Sequence, residues 1–301
     1  MGQFKLKRSH GTYIIIAVIV LQLSALMFWI LFNPTSDLFA YTAGMDKDST
    51  SVIAENDETV VIGEHFNLFR EFNSNLSGKW TKFRGEKHNN VIESPVRINE
   101  NWDVKDPELK WTVSTGEGHA APVIWNGLAY FLDYDETERA DMLRCLSLET
   151  GEEIWRRWYH VRLKRNHGLS RTIPAINEDY ILTIGPRGHV MCVERETGNF
   201  LWGIDLEEKY DTKSPDWYTG QCPLIDNDTA VIATGGSAIM IGVDCKTGEV
   251  LWETPNPNSW KMSHSSILPI TIRDKRMYVY AGLGGLCGVS AEPKDAGTLL
   301  W

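Results

Sequence analysis

Hydrophobic and polar positions divide this chain into three stretches. Residues 13–32 form one run of 20 residues without a charge. Residues 37–64 then hold seven acidic side chains and one lysine, with Ser and Thr between them and few aromatics. From about residue 108 the pattern changes again, to short apolar runs rich in Val, Ile, Tyr, Leu and Trp. Polar or glycine turns such as Asn126-Gly127, Pro186-Arg187-Gly188 and Gly235-Gly236 separate them. Short runs bounded by turn residues predict β-strands. Twenty apolar residues predict a helix long enough to cross about 30 Å of hydrocarbon.

The strand-like region repeats. A Gly is followed four residues later by a Trp at Gly151/Trp155, Gly198/Trp202, Gly248/Trp252 and Gly297/Trp301, and the first three copies carry a Thr before the Gly: Thr150, Thr197 and Thr247. A lone Trp111 lies upstream, and the steps between successive tryptophans are 44, 47, 50 and 49 residues. A fixed period of this size is a tandem structural repeat. Each unit contains four runs, shown cleanly in the second unit at 171–178, 179–185, 188–195 and 199–206. Each therefore reads as a four-stranded antiparallel meander. A short hairpin built on a type I turn needs a following residue with positive φ, which Gly adopts at little cost, and a preceding Thr can bond local backbone. Side chains alternate along a strand, so every Trp faces the same way and is suited to filling the gap between sheets.

About 45 to 50 residues in four strands is the size of one propeller blade. On the Thr-Gly-x-x-x-Trp motif, recurring in register over residues 108–301, the chain resembles the pyrroloquinoline-quinone-like, or quinoprotein-like, β-propellers. Trp80-Thr-Lys-Phe83-Arg84-Gly85 followed by Asn89-Asn90 resembles the Trp-x-x-Phe-Arg-Gly lead-in found ahead of many bacterial propellers of this type. The expected fold is all-β: four visible blades of a propeller, a lead-in over 79–107 and one N-terminal transmembrane helix. Residues 109–111 have the character of a fourth strand with no blade before it. The expectation is an open arc whose ring is completed by further blades. With the eight blades usual in the resembled family, about 150 to 190 more residues follow at ~45 per blade.

Lys5, Lys7 and Arg8 precede the apolar run, so the basic-flank rule places residues 1–12 in the cytoplasm and the propeller outside it. The run is longer than the core of a cleaved signal, Leu38-Phe39-Ala40-Tyr41 is a poor cleavage context, and no cysteine precedes Cys145 to accept a lipid. Residues 13–32 therefore read as an uncleaved signal anchor and 33–78 as an acidic spacer. The formal charge of −10, less the three basic residues, leaves −13 for the exported part. Such a surface disfavours nucleic acid.

Chemistry is sparse. The five cysteines cannot all pair, and Cys145 and Cys192 fall at equivalent third-strand positions, where burial is expected. The resemblance implies, for catalytic members, two adjacent cysteines over the quinone, carboxylate and amide calcium ligands and an aspartate base; no Cys-Cys pair exists in this chain. Asp133, Asp135, Glu136, Glu138 and Asp141 read as a solvated acidic loop, and His160, Arg162, Lys164, Arg165 and His167 as a basic patch that could meet an acidic partner. Counting back from the aligned Pro122, Pro174, Pro223 and Pro269 places His119, Arg171, Gln221, His264 and Ser265 at one channel mouth, with Tyr218 nearby. His and Arg together there favour a carboxylate-bearing ligand.

The reading is a membrane-anchored, extracytoplasmic, bacterial propeller that binds a protein or peptide as a non-catalytic scaffold. At repeat level it is similar to the propeller lipoproteins of the outer-membrane barrel-assembly machinery, without their acylated cysteine. The alternative is an oxidoreductase using pyrroloquinoline quinone and calcium.

Overall fold

The computed structural model describes residues 6–32, 59–93, 97, 109–164 and 168–301, in two units, Met1–Ile53 and Ala54–Trp301. In the first unit α1 (Leu6–Phe32) contains a stretch, Gly11–Phe32, of 22 residues with a mean hydropathy of 2.7 and no buried face. At 1.5 Å per residue this spans about 33 Å, enough for a bilayer core. Residues 33–58 of the expected spacer, most of 94–107, and Arg165 and His167 of the basic patch lie outside the described residues.

The second unit is a series of antiparallel sheets. Two short strands come first, β1 (His65–Leu68) and β2 (Lys79–Trp80). Blade I follows with β3 (Val123–Trp125), β4 (Leu128–Asp135), β5 (Ala140–Ser147) and β6 (Glu153–His160). Blade II has β7 (Ala175–Ile176), β8 (Tyr180–Ile184), β9 (His189–Glu194) and β10 (Phe200–Asp205), and its outer strand runs into the short helix α2 (Leu206–Tyr210). Blade III has β11 (Leu224–Asp226), β12 (Thr229–Ala233), β13 (Ala238–Asp244) and β14 (Val250–Pro255); blade IV has β15 (Leu268–Ile272), β16 (Lys275–Gly282) and β17 (Gly285–Ser290). A fourth strand of blade IV begins where Val289 bridges Leu299 and the Trp301 carbonyl accepts from Gly288 N at 3.1 Å. No strand pairing joins blade IV to blade I among the described residues.

The core lies between sheets, not within them. In β8, Ile181 packs toward blade I while Leu182 and Ile184 pack toward blade III; in β12, Ala230 and Ile232 face blade II while Val231 and Ala233 face blade IV. Period-two alternation sends neighbouring side chains to opposite faces. Both faces of an inner blade are buried, which is why these strands read as unbroken apolar runs.

The repeated motif works across a one-blade offset. Gly151, Gly198, Gly248 and Gly297 all have positive φ, between 71° and 81°, and in the first three turns the threonine Oγ1 accepts the amide two residues on, at 3.1 to 3.3 Å. Each Gly receives the indole of the preceding blade. A Cβ at Gly198 would sit 3.0 Å from Trp155, at Gly248 2.7 Å from Trp202, and at Gly297 2.7 Å from Trp252. Trp202 Nε1 then donates to the Cys245 carbonyl at 2.8 Å. Trp155 and Trp202 are 2% and 7% exposed, but Trp252 is only half-buried.

Residues 109–116 form no strand, contrary to expectation. Trp111 nevertheless docks as a fourth-strand tryptophan does. It covers Gly151, and its Nε1 donates to the Leu148 carbonyl at 2.8 Å, the counterpart of the Trp202 bond. Residues 114–116 are held by Asp133 and Arg144, through Gly116 N to Asp133 Oδ1 at 2.9 Å and Arg144 Nη1 to the Ser114 carbonyl at 3.1 Å.

Part of the expected spacer belongs to the propeller. β1 pairs with β6 as an extra outer strand of blade I. Arg157 Nη1 donates to the Gly63 carbonyl at 2.8 Å and its Nε to the Gly198 carbonyl of blade II at 2.6 Å. The lead-in joins on the opposite edge, where β2 pairs with β3 and the Thr81 carbonyl accepts from Ile176 N at 2.8 Å. Lys82 then lies within the electrostatic reach of Asp226 and Arg276, and burial lowers its pKa. The Trp-x-x-Phe-Arg-Gly segment thus runs along the first strands of successive blades, with Phe83 and Arg84 exposed.

Candidate functional site

Proline at the start of an inner strand has no amide to donate, and the residue two positions earlier makes up for it. Thr172 Oγ1 donates to the Ile184 carbonyl at 2.6 Å. Gln221, at the equivalent place, both donates to the Ala233 carbonyl and accepts its amide, at 2.8 and 2.7 Å. Gln221 is fully buried, so it extends the sheet and does not line the expected mouth.

The remaining mouth candidates fall into two groups. His119 is exposed, its amide donates to the Ser170 carbonyl at 2.7 Å, and its ring crowds Gly168. Arg171 Nε donates to the Gly168 carbonyl at 3.0 Å, and burial lowers its pKa. At the next blades, His264 Nε2 lies 3.1 Å from the Tyr218 carbonyl and its ring stacks on Trp217 at 6.3 Å. Ser265 is exposed and is held through its amide by Ser263 Oγ at 3.1 Å. The consistent register three residues before each proline is His119, Arg171, Gly220 and Ser266; His264 and Ser265 sit further back.

A better-formed site lies where blades I and II meet. A cleft of about 450 Å³ is lined by Arg139, His160, Val161, Arg162 and Arg187, together with residues 59–61, Glu64 and Glu138. Arg139 ends the turn between β4 and β5, His160 closes β6, and Arg187 occupies the turn between β8 and β9. His160 Nδ1 is 3.0 Å from the Glu138 carbonyl and its ring meets Trp158 edge-on at 5.1 Å. Arg187 pairs with Glu207 at 2.6 Å; burial works against its charge, but Glu207 outweighs it and raises the pKa. Glu64 has His65 3.4 Å away. Three arginines and one histidine thus line the cleft beside two glutamates, Glu64 and Glu138, on an otherwise acidic protein. Sequence spacing revealed His160 and Arg162 but not Arg139 and Arg187. These two sit in the same second-to-third-strand turn of adjacent blades, a signal the repeat alignment contains.

The five-carboxylate loop does not form as one. Asp133 is buried in β4 and paired to Arg144 at 2.8 Å, within a network in which Arg144 and Arg156 both hold Glu153. Asp141 is buried in β5. All five cysteines are buried and free, and burial pushes the Cys145 and Cys192 thiols up. Both stand opposite the tryptophan of their own blade, Cys145 across from Trp155 and Cys192 across from Trp202.

Successive four-stranded blades, docked by tryptophan on glycine, define a pyrroloquinoline-quinone-like β-propeller repeat protein. The sequence profile of the family described as outer membrane protein assembly factor BamB matches residues 139–301. The chain belongs to that family. Among solved structures, quinohemoprotein alcohol dehydrogenase from Comamonas testosteroni superposes with a TM-score of 0.51 at 16% identity, covering 74% of this chain and 40% of that one. BamB from Moraxella catarrhalis gives 0.44 at 13% identity, covering 64% of this chain and 50% of that one. The chain thus spans half or less of the length of either protein, and the likeness is one of fold. No curated protein matches it in sequence.

Proposed function

We propose that this chain is a membrane-anchored, extracytoplasmic propeller of a bacterium that binds a protein partner as an assembly scaffold and performs no chemistry of its own. The observation that carries this reading is its membership of the assembly-factor family over residues 139–301. Helix α1, whose apolar stretch follows Lys5, Lys7 and Arg8, supplies the anchor, with the N-terminus cytoplasmic and the propeller periplasmic or extracellular. An acidic segment of the partner seats in the cleft at Arg139 and His160, where charge-assisted hydrogen bonds are strong. His119, Trp217 and His264 extend the exposed contact surface.

The oxidoreductase reading rests on the fold shared with the alcohol dehydrogenase. Its cofactor would need two adjacent cysteines, and the five here are separate and buried. The test is photo-crosslinking from His160 in the full chain in its membrane. A discrete protein adduct, weakened at least tenfold by Arg139→Ala, is expected. Absence of any adduct, or a quinone absorbance that bleaches on adding an alcohol to the purified protein, would overturn the proposal.

A further inference from the structure

Behind the cleft, the seam between blades I and II holds a polar cluster that blade docking does not require. Asp141 is 2% exposed; its Oδ2 accepts the Tyr159 hydroxyl at 2.8 Å and its Oδ1 has no hydrogen-bond partner. From blade II, His189 is 3% exposed, with Nε2 3.5 Å from Asp205 Oδ2, Nδ1 unpartnered, and its ring edge-on to Tyr159 at 5.4 Å. The backbone of Gly185 lies flush against the pair, so that a Cβ there would overlap both the Tyr159 hydroxyl and Asp141 Oδ2. Each of these residues is two positions along the chain from one that lines the cleft: Asp141 from Arg139, Tyr159 from Val161, Gly185 and His189 from Arg187.

An ionised carboxylate can accept about four hydrogen bonds, and Asp141 is offered one. A neutral carboxyl suits that site far better. The charged and titratable groups around it are Tyr134, its cross-strand partner, Tyr159 and Asp133 from its own blade and His189, backed by Asp205, from the next. Burial raises the Asp141 pKa to about 6, with Asp133 acting in the same direction, and the Tyr159 hydrogen bond and His189 oppose the rise without cancelling it.

We propose that Asp141, Tyr159, His189 and Asp205 form a proton-operated latch across the seam of blades I and II, closed when Asp141 carries a proton and loosened when it ionises. The ionised carboxylate gains donors only if water reaches it, and the way in is movement of the turns at 136–139 and 185–188. Those turns carry Arg139 and Arg187, so the latch sets the width of the cleft. That last consequence rests on the function proposed above; the latch itself does not.

Amide hydrogen exchange of the full chain in detergent, corrected for intrinsic rates, tests it. A site that ionises with its ordinary pKa of 3.8 when open and about 6 when closed should open roughly tenfold more often at pH 7.5 than at pH 5 in the 136–139 and 185–188 turns. Asp141→Asn keeps an acceptor for Tyr159 and should remove the step, while Gly185→Ala should open the seam at every pH. A carboxylic-acid band in the infrared difference spectrum of the wild type, absent in Asp141→Asn, checks the same proton without relying on exchange. No step in the wild type, or a step that survives in Asp141→Asn, overturns the latch. A step without any pH effect on cross-linking from His160 leaves the latch standing and removes the cleft from the proposed function.

Discussion

The seam between blades I and II and the seam between blades III and IV are built on the same motif and closed differently. At the first, Trp155 covers Gly198 and is itself covered by β1, with Phe66 6.2 Å away and Tyr130 at 5.9 Å. At the second, Trp252 covers Gly297 and stacks on Tyr278 at 6.0 Å, but among the described residues no strand lies outside β14 and the ring stays half-buried. Two residues beyond each tryptophan, a side chain reaches the carbonyl of the docked glycine. Arg157 does so at the first seam, and Thr254 Oγ1 donates to the Gly297 carbonyl at 2.8 Å at the second. The motif sets where the ring goes; what covers it from outside sets how much it is worth.

The largest expected effect comes from removing the rings. Trp155→Ala should cost about 3–5 kcal/mol in denaturant unfolding of the full chain, and Trp252→Ala about 1–2 kcal/mol less, because part of its surface is already in water. Equal losses would erase the distinction between the seams.

Next comes the bond to the glycine carbonyl. Arg157→Ala strips buried carbonyls at Gly63 and Gly198 of a charged donor and should cost about 1.5–3 kcal/mol. Thr254→Ala should cost about 1 kcal/mol, since a neutral hydroxyl is lost.

Acidity should act on the two seams in opposite senses, through Asp226 at the second and Asp141 at the first. Burial of Asp226 is outweighed by Arg276, 2.7 Å away across the blades, and by Tyr278, so its pKa is lowered and its stabilisation is lost as pH falls. The folded pKa of Asp141 is raised, so the stabilisation is fully present below its unfolded value of 3.8 and is lost as pH rises to about 6. The loss is on the order of 2 kcal/mol between pH 4 and pH 7. His88 acts in the opposite sense, because burial, with Lys82 and Arg84, pushes its pKa down to about 4 and acidification from 6.5 then destabilises. The quantity to measure is therefore the difference between wild type and Asp141→Asn across the pH range. A flat difference removes the carboxylate from the account.

The smallest effect should be the same in both places. Thr150→Ala and Thr247→Ala each remove a hydroxyl that accepts from an exposed turn amide, Glu152 N or Glu249 N, and donates to a carboxylate, Glu152 or Asp244, and should cost about 0.5–1 kcal/mol in thermal melts. Unequal values would mean that the turns, and not only their cover, differ between blades.

Much of this fold is written in short-range pattern. The Gly-to-Trp spacing, the turn glycines and the apolar runs gave four blades in the right order, because hairpins are closed by residues a few positions apart. The role of Trp155 between sheets was legible too; the one-blade offset that places it on Gly198 was not. Candidate-site residues fared worse. Gln221 looked like a polar channel residue, yet it is a buried strand extension, since side-chain composition does not say whether an amide meets water or backbone. Asp133 and Asp141 looked like one solvated loop, but they entered two strands and found an arginine and a tyrosine there.

By itself the sequence determined the repeat, the turn chemistry and the apolar helix at residues 13–32, all properties of neighbouring residues along the chain. Only the tertiary structure decided that residues 59–68 close blade I from outside, that the lead-in crosses to Ile176, and that Arg139 and Arg187 share a cleft. Those contacts join segments far apart in sequence, in places where nothing local distinguishes a docking surface from a spacer. Their energies come from burial, which exists only once the sheets have met.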